Sequence, residues 1–358
     1  MKTWRIGLVG TGFWSEKHLK AWARVPNARV VSLCNRSREK LAVRGREFGI
    51  DDGHLYDDLD RMLAEEDLDI LDIVTGPETH LPFVEKAAAA GKHIMCQKPF
   101  APSMEQAQLM VETADRAGVR LMVTENWRWL EPFRIIKGIL EAGTLGKVRV
   151  ARYIHTDYYT PRMSPGTAIP QPFFREMPKL LFYEMGAHWF DTWRFLFGTP
   201  KRLYAETATI SPHIRGEDSG IVALGYDDFY GYMDMSWATR QKLDRSLGDQ
   251  VSAVHLEQMV IDGEAGTLKL YTDGKITLIS RDGGTESVVA ATTELDHEES
   301  HYRLQSHFIQ CLDTGEPFQT SGADNLVTLE MIFGTYRSAQ EHAPVGIGAE
   351  FQQSSKTP

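Results

Sequence analysis

The sequence of 358 residues has few cysteines, no long apolar run and no long basic run. Its three cysteines, Cys34, Cys96 and Cys311, are odd in number and widely spaced, so neither a disulfide framework nor a zinc site is indicated. No apolar run is long enough to cross a bilayer, and the first, Trp4–Val9, is too short for a signal-peptide core. These absences predict a cytoplasmic protein with no membrane partner.

The charge argues against a further class of partner. Lysine and arginine total 39 against 49 aspartate and glutamate residues, which gives a formal net charge of −10. An acidic chain without a long basic run is a poor ligand for nucleic acid. The hydrophobic content of 42% is that of a globular protein, and the length suggests two domains.

Short apolar runs alternate with helical patterns over the first 125 residues. The predicted strands are Trp4–Val9, Ala28–Cys34, Ile70–Thr75, His93–Cys96 and Val119–Val123. The predicted helices between them are Trp14–Arg24, Arg38–Phe48, His80–Ala90 and Ser103–Ala117. Such alternation is typical of βαβ units, so we expect a doubly wound parallel sheet in an α/β domain over residues 1–125.

The pattern changes in the second part of the chain, residues 126–358. The sequence predicts a helix at Glu131–Ala142, a strand at Val148–Asp157 and a loop with five prolines at Thr160–Pro178. An aromatic-rich helix is predicted at Phe182–Leu196 and a β-rich segment at Arg202–Ile279. Two late helices are predicted at Tyr302–Leu312 and Leu326–Glu341. This part therefore reads as an α+β domain with an antiparallel-leaning sheet.

A glycine-containing turn, Gly10-Thr11-Gly12-Phe13-Trp14-Ser15, follows the first predicted strand and opens a helix. Small residues in this position let the backbone approach a pyrophosphate at a helix N-terminus. Ser15 replaces the third glycine of the usual pattern and is small enough to keep helix and strand close. We therefore interpret Gly10 to Trp14 as a dinucleotide-binding turn, and the alternative is a tight turn without a ligand.

The end of the second strand bears on the choice of cofactor. An NAD site usually has a carboxylate here for the ribose hydroxyls, but this chain has Asn35-Arg36-Ser37-Arg38. Asn35 can bond a hydroxyl or a phosphate, and Arg36 or Arg38 can meet a 2′-phosphate. The cofactor is thus NAD or NADP, with NADP favoured, unless both arginines are only exposed residues at a helix start.

Two further strand ends carry candidate residues, because the carboxyl ends of parallel strands border the ligand crevice of an open α/β sheet. Thr75 and Pro77 follow the third strand and would lie over the cofactor, whereas His80 either faces the nicotinamide or only begins a helix. Within Ala90–Pro99, Lys98 stands beside a proline just after a short apolar run. Beside a dinucleotide site it is a catalytic candidate, and otherwise it is a solvated surface lysine.

A second constellation lies at Glu184–Asp191. Positions four apart on a helix share a face, so Glu184 and His188 should project together. Without other information such a pair is a surface contact, a buried histidine with a partner, or part of a metal site. No third ligand stands at a suitable spacing, so we expect no metal.

The segments GTGFW, TGPETH, AGKHIMCQKP and YEMGAHWFD, in this order, resemble the Gfo/Idh/MocA family, which includes glucose–fructose oxidoreductase, inositol dehydrogenase and many sugar dehydrogenases. The resemblance covers nearly the whole chain, including Asn126–Arg128 and Leu145–Val148. It implies a Rossmann domain, then a domain with a large, mostly antiparallel open sheet and helices, with the active site between the two. It also implies a homo-oligomer, a dimer or a tetramer.

The resemblance also implies residue roles. Lys98 would bind substrate and act in catalysis, His188 would be the general acid/base, and Glu184 would bind substrate or support proton transfer. Gln97 and Asn126 would contact the cofactor. Glutamine stands at 97 where the family usually has glutamate, so a negative charge is lost, and Glu184 stands where the family usually has aspartate.

These roles suit alcohol oxidation, which removes a hydride from carbon and a proton from oxygen. Histidine suits the proton transfer, and a lysine can stabilise the developing alkoxide. We therefore predict an NAD(P)-dependent oxidoreductase acting on a sugar, a polyol or a similar compound. The alternatives are a non-catalytic dinucleotide-binding sensor of the same fold and an amino-acid or opine-type dehydrogenase.

Candidate substrate residues lie in segments that would edge the cleft. Aromatic rings pack on the apolar faces of sugars, and arginine suits hydroxyls or a carboxylate. The candidates for a sugar-like substrate are Trp127, Arg128, Tyr158, Tyr159, Phe174 and Arg175. The alternative for Trp127 and Phe174 is a place in the core or in an interface.

Overall fold

The computed structural model describes residues 2–239, 257–291, 293 and 296–348. The chain divides into two compact units. The first contains Met1–Trp129 and Asp296–Leu329, and the second contains Leu130–Leu295 and Glu330–Pro358. That residues 1–125 and 126–358 are separate domains stays a prediction.

The first unit is built on a parallel sheet of six strands in the order β3-β2-β1-β4-β5-β6. The strands are β1 Trp4–Val9, β2 Ala28–Cys34, β3 Leu55–Tyr56, β4 Ile70–Ile73, β5 His93–Gln97 and β6 Leu121–Thr124. The helices that connect them are α1 Ser15–Trp22, α2 Arg38–Phe48, α3 Leu59–Glu65, α4 His80–Ala89 and α5 Met104–Arg116. The predicted doubly wound parallel sheet is confirmed.

A late helix completes this unit. Right-handed crossovers place α1 and α2 over one half of one sheet face and α4 and α5 on the other face, so strands β4–β6 need a further cover. Helix α9, His297–Thr314, supplies it. Its Leu304 and Phe308 join a buried cluster with Ile70, Met95 and Met122 of these strands.

The elements β3 and α3 were not predicted from the sequence. The strand β3 has only two residues, and α3 has seven, with two of them buried. Segments this short do not repeat an apolar pattern often enough to reveal a period. The longer predicted elements were found, some of them with the predicted bounds, as for β1, β2 and α2.

The second unit is built on a sheet of nine strands in the order β14-β13-β12-β11-β7-β10-β9-β8-β15. The strands are β7 Val148–Thr156, β8 Arg202–Ala208, β9 Ser219–Gly225, β10 Tyr230–Ser236, β11 Glu257–Gly263, β12 Gly266–Tyr271, β13 Ile276–Ser280, β14 Glu286–Ala290 and β15 Val345–Gly346. Only β7 and β10 pair in parallel among the described pairs, which confirms a mostly antiparallel sheet. Part of the predicted β-rich segment, residues 240–256, lies outside the described residues.

The remaining helices are α6 Glu131–Glu141, α7 Leu181–Glu184, α8 Gly186–Phe197 and α10 Gly322–Glu341. The prediction of one continuous helix over Phe182–Leu196 was wrong, because α7 and α8 are separated at Met185. The His188 N–H bonds the Met185 carbonyl three residues back, which tightens the chain at this point. No helix within the described ranges is long and apolar enough to span a membrane.

Candidate active site

The turn after β1 has the shape that a dinucleotide requires. Gly10 has φ +99°, and a Cβ there would lie 2.2 Å from the Val74 carbonyl oxygen, so only glycine fits. Gly12 has open space where its Cβ would be. Ser15 closes the turn by donating its hydroxyl to the Gly12 carbonyl at 2.7 Å. The backbone of the turn is therefore both fixed and accessible.

Two observations test whether this turn fits a pyrophosphate. No side chain caps the N-terminus of α1, so its first amides keep their capacity to bond an anion. The buried Thr11 hydroxyl has no hydrogen-bond partner among the described residues. Phe13 is exposed, and Trp14 stacks on His301 at 6.1 Å between ring centroids. The predicted turn fits the cofactor, although the contacts of its individual residues stay predictions.

The polar residues that follow β2 differ in the partners that they bond. The Asn35 side chain donates to the Ser37 carbonyl at 3.3 Å, and Ser37 caps α2 by accepting from the Lys40 N–H. Arg38 forms an ion pair with Asp57. Arg36 is exposed and has no hydrogen-bond or ion-pair partner in the described part of the chain.

The turn after β4 is tied to the segment after β5 by His80. A short 3₁₀ turn covers Pro77–Thr79, and the Thr79 hydroxyl bonds that of Thr75 at 2.7 Å. The ring nitrogens of the fully buried His80 face the carbonyls of Phe100, at 2.9 Å, and Thr75, at 3.1 Å. Burial lowers the pKa of His80, although the contacts with the two carbonyls act the other way. His80 thus holds the two turns together, and its contact with a nicotinamide stays a prediction.

Lys98 follows β5 and is only 7% exposed, so it is not the solvated surface lysine of the alternative interpretation. The bond from Lys98 to Pro99 is a cis peptide. The backbone N–H of Lys98 donates to the Gln97 side-chain oxygen at 2.7 Å. Gln97 is buried as well, and its amide nitrogen lies 3.1 Å from Nε2 of His18.

His297, the first residue of α9, was missed by the sequence analysis. The Asn126 amide donates to the Ser300 hydroxyl at 2.7 Å and lies 3.5 Å from Nδ1 of His297. Burial and the positive charges of Lys17 and Lys98 lower the pKa of His297. The histidine is thus near the candidate residues Lys98 and Asn126, but it lies 171 positions after Asn126, and no local pattern marks it.

Trp127 and Arg128 are both buried next to these residues. The Trp127 ring lies 6.3 Å from that of His297. The Arg128 guanidinium donates to the Gln319 carbonyl at 2.8 Å and pairs with Asp324 at 3.4 Å. Arg128 therefore holds the segment before α10, and a contact with substrate stays a prediction.

In the second unit, Tyr159 lies near Glu184. Burial raises the pKa of Tyr159, and the carboxylates of Asp157 and Glu184 act in the same direction. The ring of Tyr159 packs against Trp237 at 5.2 Å between centroids. Two predicted substrate residues are thus brought together.

Arg175 is engaged by its own loop. Its guanidinium donates to three backbone carbonyls, those of Met163 at 2.9 Å, Ser164 at 3.3 Å and Thr167 at 2.6 Å. An arginine with this many bonds to the main chain determines the shape of the loop. The predicted contact of Arg175 with substrate stays a prediction.

Glu184 and His188 are both buried, with exposures of 9% and 6%. Glu217, which the sequence analysis did not select, holds the start of α7. Its carboxylate accepts from the Leu180 N–H at 3.1 Å and the Phe182 N–H at 2.9 Å, and it accepts the Tyr336 hydroxyl at 2.5 Å. Burial raises the pKa of Glu217, although these hydrogen bonds act the other way.

A six-stranded parallel sheet of this order, with an accessible glycine turn at the switch point between β1 and β4, defines a dinucleotide-binding protein. The family model described as "Oxidoreductase family, NAD-binding Rossmann fold" matches residues 4–125, and the GFO/IDH/MocA C-terminal domain matches residues 133–269. The chain therefore belongs to the Gfo/Idh/MocA oxidoreductase family. It is an NAD(P)-dependent oxidoreductase acting on CH–OH groups.

Relatives cover nearly the whole chain. A D-apiose dehydrogenase of Paraburkholderia graminis is 36% identical over 95% of this chain and 89% of its own length. A D-apiose dehydrogenase of Rhizobium rhizogenes is 32% identical over 96% and 97%. The crystal structure of an oxidoreductase from Agrobacterium radiobacter in complex with NAD+, L-tartaric acid and magnesium has a TM-score of 0.87 and 29% identity, covering 98% of this chain and 100% of that one.

Proposed function

We propose that this chain is a sugar dehydrogenase whose substrate is D-apiose or a closely similar sugar. The observation that carries this proposal is the 36% identity with a D-apiose dehydrogenase over almost the full length of both chains. A second D-apiose dehydrogenase of another organism supports it at 32% identity. Both names favour a sugar over the amino-acid substrate of the alternative hypothesis.

The proposal assigns the chemistry to three residues. The nicotinamide supplies the hydride acceptor when the cofactor is bound. His188 accepts the proton of the substrate hydroxyl, and Lys98 donates a hydrogen bond to the same oxygen as negative charge develops on it. Glu184 binds the substrate or supports the proton transfer. The burial of Lys98 and His188 supports these roles, because polar groups act more strongly where water is excluded.

The cofactor and the place of action are parts of the same proposal. Arg36 is exposed at the ribose end of β2, which supports acceptance of a 2′-phosphate and hence of NADP. All three cysteines are buried and free, which supports a reducing, cytoplasmic setting.

We also propose that the chain forms a homodimer or homotetramer through the outer face of its nine-stranded sheet. Ile221 and Tyr230 are 51% and 59% exposed there, while their neighbours Val222 and Gly231 are buried. Exposed apolar side chains that share a sheet face commonly mark an interface. Light scattering should give a multiple of the 40.4 kDa chain mass, and Ile221→Lys should lower it whereas Val43→Lys on α2 should not. A monomeric wild type would rule out this interface.

The test of the proposed function is turnover by the purified protein. NADH or NADPH formation should be followed with D-apiose and with a panel of aldoses, polyols and inositols. D-apiose should give the highest kcat/KM. Equal or higher kcat/KM for an unrelated polyol would reject the proposed substrate but keep the enzyme class.

A further inference from the structure

A buried chain of hydrogen bonds links three elements of the first unit beneath Lys98. His18 of α1 has Nδ1 at 2.9 Å and 3.1 Å from the two carboxylate oxygens of Asp72 on β4. Its Nε2 lies 3.1 Å from the amide nitrogen of Gln97 on β5, whose oxygen accepts the Lys98 N–H. His18 and Asp72 are completely buried, so these bonds have no competition from bulk water.

The direction of each bond follows from what each group can do. The backbone N–H of Lys98 only donates, so the Gln97 oxygen must face it and the Gln97 NH₂ must face His18. His18 Nε2 must then accept, which leaves its proton on Nδ1 to be donated to Asp72. The Trp22 indole N–H also donates to Asp72, at 2.7 Å. With the His18 proton on Nδ1, each of these hydrogen bonds has one donor and one acceptor.

The other groups that face this chain come from α9 and β5. The ring of His301 lies 5.2 Å from that of His18, and its Nδ1 bonds the His297 carbonyl at 2.7 Å. The Gln305 amide donates to the His18 carbonyl at 3.3 Å. On β5, burial and the Asp72 charge raise the pKa of Cys96, which keeps that thiol neutral.

We propose that His18 and Asp72 are positioning residues for Lys98, acting through the Gln97 amide, and that His18 is held as the neutral Nδ1–H tautomer. The proposal rests on the role of Lys98 given above. A glutamate at 97 would place a carboxylate against the unprotonated Nε2, and this contact would require one further proton, on the ring or on the carboxyl group. Glutamine thus gives this network the same net charge with one carboxylate and one proton fewer.

The tautomer is tested without any substrate. Protein labelled with ¹⁵N in histidine should show His18 Nε2 with the shift and couplings of an unprotonated nitrogen, and Nδ1 with those of a protonated one. In Gln97→Glu the His18 signals should move, because the group that faces Nε2 changes from a hydrogen-bond donor to an acceptor. A protonated Nε2 in the wild type, or an unchanged His18 signal in Gln97→Glu, would overturn the proposal.

The positioning role is tested by two matched variants. In His18→Asn the amide nitrogen takes the place of Nδ1 and keeps the bond to Asp72, but the partner of Gln97 is lost. In His18→Gln the amide oxygen takes the place of Nε2 and keeps the partner of Gln97, but the bond to Asp72 is lost. Both variants remove a buried histidine, so thermal unfolding should show comparable losses of stability.

Of the two hydrogen bonds of His18, only the one to Gln97 should determine the position of Lys98. With D-apiose and whichever of NAD+ and NADP+ the wild type uses better, kcat of His18→Asn should be roughly tenfold or more below that of His18→Gln. The Lys98 amide hydrogen, measured without substrate, should also exchange faster in His18→Asn. Equal exchange rates in the two variants would overturn the positioning role. Failure of wild-type turnover would instead reject the proposed substrate and leave the exchange and NMR results to decide.

Discussion

Arg36 and Arg38, two residues apart after β2, differ in what they bond. Arg38 is neutralised by Asp57, which sits at the start of the segment leading to α3. Arg36 is exposed without a partner among the described residues and has its charge available for a phosphate. Under the proposed preference for NADP, Arg36 is therefore the residue that should contact the 2′-phosphate.

Arg36→Ala should lower kcat/KM for NADP+ and leave that for NAD+ nearly unchanged. Loss of one charge-assisted hydrogen bond is worth about 1.5–3 kcal/mol, or roughly a ten- to hundredfold loss. The measurement is the ratio of kcat/KM for the two cofactors. Arg38→Ala is the control and should change this ratio much less. An unchanged ratio in Arg36→Ala would show that the 2′-phosphate is not read there.

The sequence predicts where polar residues stand better than what they bond. Arg128, His80 and Arg175 were selected as binding residues because of their places at strand ends and in a loop. In the structure, the side chain of each one hydrogen-bonds a backbone carbonyl of the chain itself. Their partners are distant in sequence or depend on the path of an irregular loop, and no local pattern encodes either.

At the scale of the element, the short helix α7 depends on a buried carboxylate. Helix α7 carries Glu184, and its first amides are held by Glu217 from the segment before β9. Neither α7 nor α8 has a side-chain N-cap of its own. Glu217 therefore substitutes for the missing cap of α7 and fixes the segment that leads to Glu184.

Glu217 should make stability depend on pH in a defined direction. Burial raises the pKa of Glu217 in the folded chain above its ordinary value of 4.5. Between pH 4.5 and this raised pKa, the folded chain therefore keeps a proton that the unfolded chain has lost. The free energy of unfolding contributed by this group is then highest below pH 4.5 and falls as pH rises through that range. Glu217→Gln removes this titration. The wild type minus variant difference, from urea unfolding, should be smaller at about pH 8 than at about pH 5; a larger difference at pH 8 would contradict the assignment.

Helix α9 contributes Leu304, Phe308 and Ile309 to the buried apolar cluster of the first unit. Phe308→Ala should lower the free energy of unfolding by about 3–5 kcal/mol, because it leaves a cavity in the buried cluster that contains Ile70 and Met95 of the sheet. Gln310→Ala, exposed on the same helix, is the control and should change it by less than about 0.5 kcal/mol. Denaturant unfolding followed by tryptophan fluorescence measures both. Equal small losses would mean that α9 does not stabilise this sheet.

For the whole molecule, the order of strands and helices could be predicted from the sequence. Which of the two units each late segment belongs to could not be predicted. Alternating strands and helices dictate a doubly wound sheet, and the antiparallel character of the second sheet followed from its turn-separated β runs. To predict that α9 packs on the first sheet, one must know which face of that sheet the crossover helices leave uncovered. The break at Met185 reflects one shifted hydrogen bond, which helical periodicity does not report.

We propose that this chain oxidises a sugar and that Lys98 and His188 carry out the chemistry. The decisive measurement is kcat with D-apiose in wild type, Lys98→Met and His188→Ala, using whichever of NAD+ and NADP+ gives the higher wild-type kcat/KM, with affinity for that cofactor measured in parallel. We expect turnover by the wild type and a loss of roughly a hundred- to ten-thousandfold in each variant, with cofactor affinity retained. Wild-type turnover in both variants would contradict it.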